Sequence, residues 1–425
     1  MNNSRFSWPP AFLKGLLGRD PDPDEDEEAL TVYEIDTGGE APSPRRFLPH
    51  LPVFEDRVTR YLAGMLLFTA LAALAGFLIY NRTHRFDEYR ILKSAEEHDV
   101  EGTEYAMLGR HIIKYSHDGV FCVNYSNEMS WSAAWSMQTP IAQMAGSMMA
   151  VAEQQGTQIY LLDEKGIQGQ FETGLPILKF RLTPSGEVLA VLKDLDITWI
   201  NLYDRSGNQL ASIKTTVADS GYPLDAAMTP DAKRVLVSYA NVSDGMLKGR
   251  LTIYDFSSGA SAEDTHIGGT LEFDDTVFPE VYYADASTPV AVGDNRFVVL
   301  NDARSPKVKA SVSFDREIVS TFHDKDYIGF VLPSEASDQK YEMEVYNYRG
   351  RNAMHSSFLF DYSRIAVEDG EILMYDAGTL NGYRTSGREK LEMAYEKEVR
   401  FFAALPGFRK YLVITPDSMD QIRLH

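Results

Sequence analysis

From about residue 87 to the end, short apolar runs alternate with polar turns, and the alternation recurs. "VFCVNY" closes a run at Asn124, and "IYLLDEKG", "INLYDRSG", "LTIYDFSSG", "FVVLNDARS" and "MEVYNYRG" follow at 159, 200, 251, 297 and 343. Ile, Leu, Val and Tyr suit a pleated, half-buried strand, and the Asp or Asn that ends each phrase tolerates turn geometry. Those end residues, Asn124, Asp163, Asp204, Asp255, Asn301 and Asn347, are spaced by 39, 41, 51, 46 and 46, and a weaker copy places Thr385 another 38 on. A second strand precedes each phrase, as in "EVLAVLKD" and "RVLVSYAN", so a unit holds about four short strands. Self-similarity at this period, in hairpins, predicts an all-β chain whose residues 86–425 fold as a β-propeller of WD40-like repeats. A β-sandwich array is the structural alternative.

Prolines at Pro140, Pro176, Pro223 and Pro279 fall at unit ends, where a rigid crossing between blades is expected. The last unit has room for three strands, and "EYRILKS" at 88–94 is a spare one. Pairing the two would close the ring and make eight blades, favoured over seven; units one and seven are the least regular.

Residues 61–80, "YLAGMLLFTALAALAGFLIY", are twenty positions without a charge. As a helix they span roughly 30 Å, the hydrocarbon thickness of a bilayer. Tyrosines stand at both ends and arginines flank both sides, which predicts one transmembrane helix over 57–85, contacting lipid through 61–80. The flanking Lys/Arg tie at four each, so charge does not set orientation. The length of the following domain argues for an N-terminus inside and a propeller outside the cytoplasm; a cytosolic propeller is the other topology. Ahead of the helix, "DPDPDEDEE" carries seven acids in nine positions, so residues 1–56 are expected to form a disordered acidic cytoplasmic tail. Its one apolar stretch, "AFLKGLLG", reads as a sticky patch or a docking motif.

The net charge of −21 is shared by both parts: twelve acids face seven bases before residue 61, and fifty acids follow. A chain this acidic lacks the clustered basic surface that nucleic acid requires. The single cysteine, Cys122, reads as a small buried hydrophobe.

"GVFCVNYSNEMSWSAAWSMQTPI", "SIKTTVADSGYPLD", "SFDREIVS" and "DYIGFVL" resemble a family of membrane-anchored bacterial propellers filed as domain-of-unknown-function family 5711. The resemblance runs from about residue 87 to the end. It implies a single-pass anchor with an extracytoplasmic propeller in a Gram-positive bacterium, and it brings no activity, ligand or site residue. Around "YDAGTLNGYRTSG" the chain departs from the family pattern.

No catalytic constellation stands out. Nine histidines lack zinc-ligand spacing, and "SHDG" at 116 and "HDKD" at 323 read as turns. There is no nucleophile elbow, phosphate loop or EF-hand loop, so no metal site, catalytic residue or cofactor is predicted. "MQTPIAQMAGSMMAV" reads as blade core at strand spacing. Tyr222 and Phe278 each precede a blade-end proline and are the candidate binding-face residues, suited to a protein, peptide or glycan partner. The expected function is a binding or scaffolding module at the cell envelope. The alternative is an envelope polysaccharide hydrolase or lyase using channel-facing carboxylates, one of them with a raised pKa.

Overall fold

A computed structural model describes residues 57–243, 245–257, 266–301, 305–368 and 370–425. The expected acidic tail, 1–56, lies outside the described residues. The chain divides into two compact units after Ala72, inside the helix Arg57–Thr83, and the second unit carries the helix end and all that follows. No part of the apolar stretch Tyr61–Asn81 is buried, and Leu66, Phe68 and Leu71 are exposed. An uncovered apolar helix of this length fits a single-pass anchor.

Beyond it, the described residues form eight four-stranded antiparallel sheets. Seven run in chain order from the channel outward: blades one (104–134), two (140–172), three (177–216), four (222–273), five (280–313), six (320–358) and seven (364–394). Blade eight is composite. Phe401–Ala404, Lys410–Ile414 and Ser418–Leu424 supply its inner three strands, and Tyr89–Glu96, just after the helix, is its outermost. The register runs from Tyr89 opposite Leu424 to Glu96 opposite Ser418, so both ends of the domain share one sheet.

Strand alternation explains the ring. Successive side chains point to opposite faces of a sheet, so each blade offers an apolar face to either neighbour. In blade three, Val188, Ala190 and Leu192 pack with blade two, whereas Leu189 and Val191 pack with blade four. Eight buried clusters are found among the described residues, one for each junction, including that of blades eight and one around Ile112, Leu412 and Ile414. Cys122 is fully buried in the junction of blades one and two, and burial pushes its thiol up to about 11. Met137 and Met149 are core there too, and Met148 is core in the next junction, between blades two and three.

The turns follow the sequence markers. Asn124, Asp163, Asp204, Asp255, Asn301 and Asn347 all close the third strand of a blade. In five of them the side-chain oxygen accepts the N–H two residues on, and Asn301 accepts from Lys307. The four blade-end prolines stand at or within one residue of the start of an innermost strand, whose free edge lines the channel and requires no N–H donor.

Candidate functional site

Blade topology gives the domain two unlike ends. Turns between first and second strands and between third and fourth strands lie at one end. Blade crossovers and the turns between second and third strands lie at the other. The helix terminus meets the first of these, the anchor face: Arg384, from an outer turn of blade seven, donates to the Asn81 carbonyl at 2.6 Å. Arg409, from the inner turn of blade eight, donates Nε–H to Asn81 Oδ1 at 2.7 Å. Phe77 stacks on Phe408 with ring centroids 5.5 Å apart, and Phe86 bridges to Leu391 in the blade seven–eight core.

The opposite, distal face carries an unusual share of exposed apolar side chains on blades three and four. Leu195, in the second turn of blade three, is 90% exposed, and Val217, in the following crossover, is 61% exposed. Tyr222, half-exposed, joins Leu195 and Val217 in lining a groove of about 580 Å³. In blade four, Arg234–Ser243 and Met246–Asp255 pair over ten residues, longer than the equivalent hairpins, and bring exposed Val242, Met246 and Leu247 to the same end. Isolated exposed hydrophobes are ordinary; a group gathered on one surface is a candidate interaction site.

Phe278 does not join this surface. It is fully buried, edge-on to Phe273 in the core between blades four and five, because its crossover tucks beneath the strands. It offers nothing to a partner, contrary to the expectation from its neighbouring proline. Tyr222 is the first residue of its inner strand and stays at the rim.

The channel is polar and internally compensated. Glu104, Lys179, Arg181 and Arg364, from blades one, three and seven, share a cavity of about 440 Å³ with blade two. Arg364 meets Glu104 at 2.7 Å, and Arg181 meets Asp225 at 2.7 Å. The same Asp225 oxygen accepts the Val281 N–H of blade five at 3.0 Å. Glu280 accepts from Thr321 at 3.0 Å and lies 3.8 Å from His323, whose ring stacks on Tyr282. Burial holds the His323 imidazole below its ordinary value, with Arg181 adding to the effect. Each of these carboxylates is thus held by a cation or donor of another blade, an arrangement that ties blades together.

Two carboxylates among the described residues are raised, by desolvation first: Glu389, on the outer strand of blade seven, and Glu97, in the crossover from blade eight to blade one. Lys114 Nζ lies 2.5 Å from it and 3.1 Å from Asp99, and also donates to Asn127, whose amide donates to the Glu96 carbonyl. This network latches the closing strand to blade one, away from the channel carboxylates.

Glu342, Glu344 and His355 bring three potential metal-ligand atoms within 4.8 Å of one another. Arg316 occupies the charge there, 2.7 Å from Glu342 and 3.9 Å from Glu344. The histidine joins only through cross-strand register with Glu344, which sequence spacing hides.

Fold and surfaces together define an eight-bladed β-propeller following a single apolar helix. The chain belongs to DUF5711, a family of unknown function, whose profile matches residues 81–424. No curated protein matches the sequence. Among solved structures, Chaetomium thermophilum Sqt1 bound to the N-terminus of ribosomal protein L10 is similar, with a TM-score of 0.51 and 9% identity over 80% of this chain and all of that one. BamB from Moraxella catarrhalis gives 0.48 and 12% over 79% of this chain and all of its own. Apo AztD from Citrobacter koseri gives 0.47 and 9%, covering 70% and 86%. At these identities the likeness is one of fold.

Proposed function

We propose that this protein is a single-pass, membrane-anchored scaffold whose propeller stands outside the cytoplasm and binds a polypeptide on its distal face. The observation that carries the reading is the group of Leu195, Val217 and Tyr222 around one groove, at the end opposite the helix contacts. Aliphatic side chains gain by removing apolar area from water, roughly 25 cal/mol per Å², which matches a peptide's side chains. Sugar rings prefer flat aromatic platforms, and here the groove offers one aromatic among aliphatics. The same fold carries a bound protein N-terminus in the Sqt1 structure. The channel carboxylates are engaged across blades, which supports a structural role there rather than hydrolysis.

A photo-crosslinking amino acid at Leu195, in intact membranes, tests this. Capture of a defined protein that is lost in a Val217→Asp, Tyr222→Ala background supports the reading. Equal capture from a probe at an exposed outer-strand position such as Leu210 removes it. Protease added to intact cells tests topology: digestion of the propeller supports an outside location, and full protection reverses it.

A further inference from the structure

We propose that the anchor face holds the phosphate of an anionic phospholipid, in a cavity of about 600 Å³ where blades seven, eight and one meet. The proposal rests on the membrane reading above. The walls include Glu371 and Lys390 of blade seven, Arg409, Lys410 and Tyr411 of blade eight, and Gly109 of blade one. Glu371 is the lone carboxylate of that lining, and it is already engaged: Lys390 donates to one oxygen, and the Tyr411 hydroxyl donates to the other at 2.7 Å. Arg409 and Lys410 therefore bring two positive charges with no ion pair among the described residues.

Arg409 is held for this position. Its guanidinium packs on Phe86 at 4.1 Å and Phe408 at 4.6 Å, its Nε is spent on Asn81, and its Nη2 is buried without a hydrogen-bond partner among the described residues. Burial lowers its pKa, as expected for a cation short of compensating charge, and Lys390 is lowered by burial against the pull of Glu371. An anion accepted at Lys410, with the Arg409 charge beside it, would neutralise the pair.

A lipid headgroup fits better than a free anion because of where the site lies. Asn81, Arg409's partner, is the last residue of the apolar span Tyr61–Asn81, so the cavity sits where the hydrocarbon-compatible segment gives way to water. The same turn, 405–409, presents Phe408, 47% exposed and stacked on Phe77 of the helix. An aromatic ring beside cations at the end of an apolar helix is the chemistry of the membrane interface.

The test uses the full-length chain in neutral detergent, with phosphatidylglycerol, phosphatidylcholine and inorganic phosphate as separate probes, read by native mass spectrometry and thermal shift. Phosphatidylglycerol should bind about tenfold more tightly than phosphatidylcholine, and Lys410→Glu should abolish that preference while leaving the unliganded Tm unchanged. Arg409→Lys, which keeps the charge and loses the fork, should weaken it in part. Equal binding of the two lipids, a response to inorganic phosphate matching that to phosphatidylglycerol, or an unaltered Lys410→Glu preference would each overturn the site. Carbonate extraction of cell membranes separates the two readings. Release of the chain defeats the anchor and the site together, whereas retention without lipid preference defeats the site alone.

Discussion

Tyr89 stands directly opposite Leu424, so the residue that begins the propeller is hydrogen-bonded to the strand that ends it. Closure of the ring therefore depends on the final strand. Ile422, fully buried there between Ile91 and Tyr411, is a sensitive probe. Ile422→Ala should cost about 2–5 kcal/mol, seen as a lowered urea midpoint, because the junction of blades seven and eight cannot collapse around the lost volume. An unchanged midpoint would mean that closure contributes little.

The Glu97–Lys114 latch should behave as a buried ion pair. Lys114→Met leaves the Glu97 carboxylate uncompensated and should cost about 3–5 kcal/mol at neutral pH. The Glu97 pKa is already raised by burial, and loss of the ammonium raises it further. A carboxylate with a raised folded pKa costs stability above its unfolded value, and the cost fades once pH falls low enough to protonate both states. The deficit should accordingly be greatest at pH 7 and shrink toward pH 4. A pH-independent deficit, measured by chemical denaturation, would contradict the latch.

In the Arg316–Glu342 pair the carboxylate is shifted the other way, and the deficit of its variant again fades in acid. Arg316 holds Glu342 below the usual carboxylate range, with Ser334 assisting. A depressed folded pKa gives stability that is present above the unfolded value and is lost as pH falls through the folded one. Glu342→Gln should thus be less stable than the parent from about pH 5 upward and converge with it in stronger acid. Denaturation midpoints at pH 3, 5 and 7 decide the matter.

Gly249 lets the blade four–five crossover approach its strand. A Cβ there would overlap the Thr276 carbonyl oxygen, which is backbone and cannot rotate away. Gly249→Ala should cost about 1–3 kcal/mol, whereas Gly378→Ala, which meets nothing within 4 Å, should be close to neutral. Equal effects of the two on thermal midpoint would argue against close approach at that crossover.

The blade period was legible because six turns use the same device, an Asx side chain that caps the end of the third strand, and such residues stand out from the apolar run before them. The spare strand at 88–94 was legible by counting, since three strands at one end require a fourth. The surfaces were not. Tyr222–Pro223 and Phe278–Pro279 look alike in sequence, yet one ring stays at the rim and the other is sealed by Phe273, a difference set by the depth of a crossover. Likewise Leu195 and Val217 read as ordinary strand-end hydrophobes, and only ring assembly shows that no neighbouring blade covers them. The cationic pocket joins Arg409 and Lys410 to Lys390 of the preceding blade, a neighbour relation that no local pattern carries.

Placing the outer strand of blade eight first in the chain has a consequence for synthesis. Tyr89 and Leu424 are 335 positions apart, and a ribosome adding roughly 5–20 residues per second needs on the order of tens of seconds to deliver the second after the first. Throughout that interval Tyr89–Glu96 is a bare edge beside the apolar helix, and the earlier blades have no sealed circle to join. Closure of this ring is thus timed by the strand Ser418–Leu424, and a stop ahead of it yields an open ring whose first strand is free to pair with the wrong neighbour.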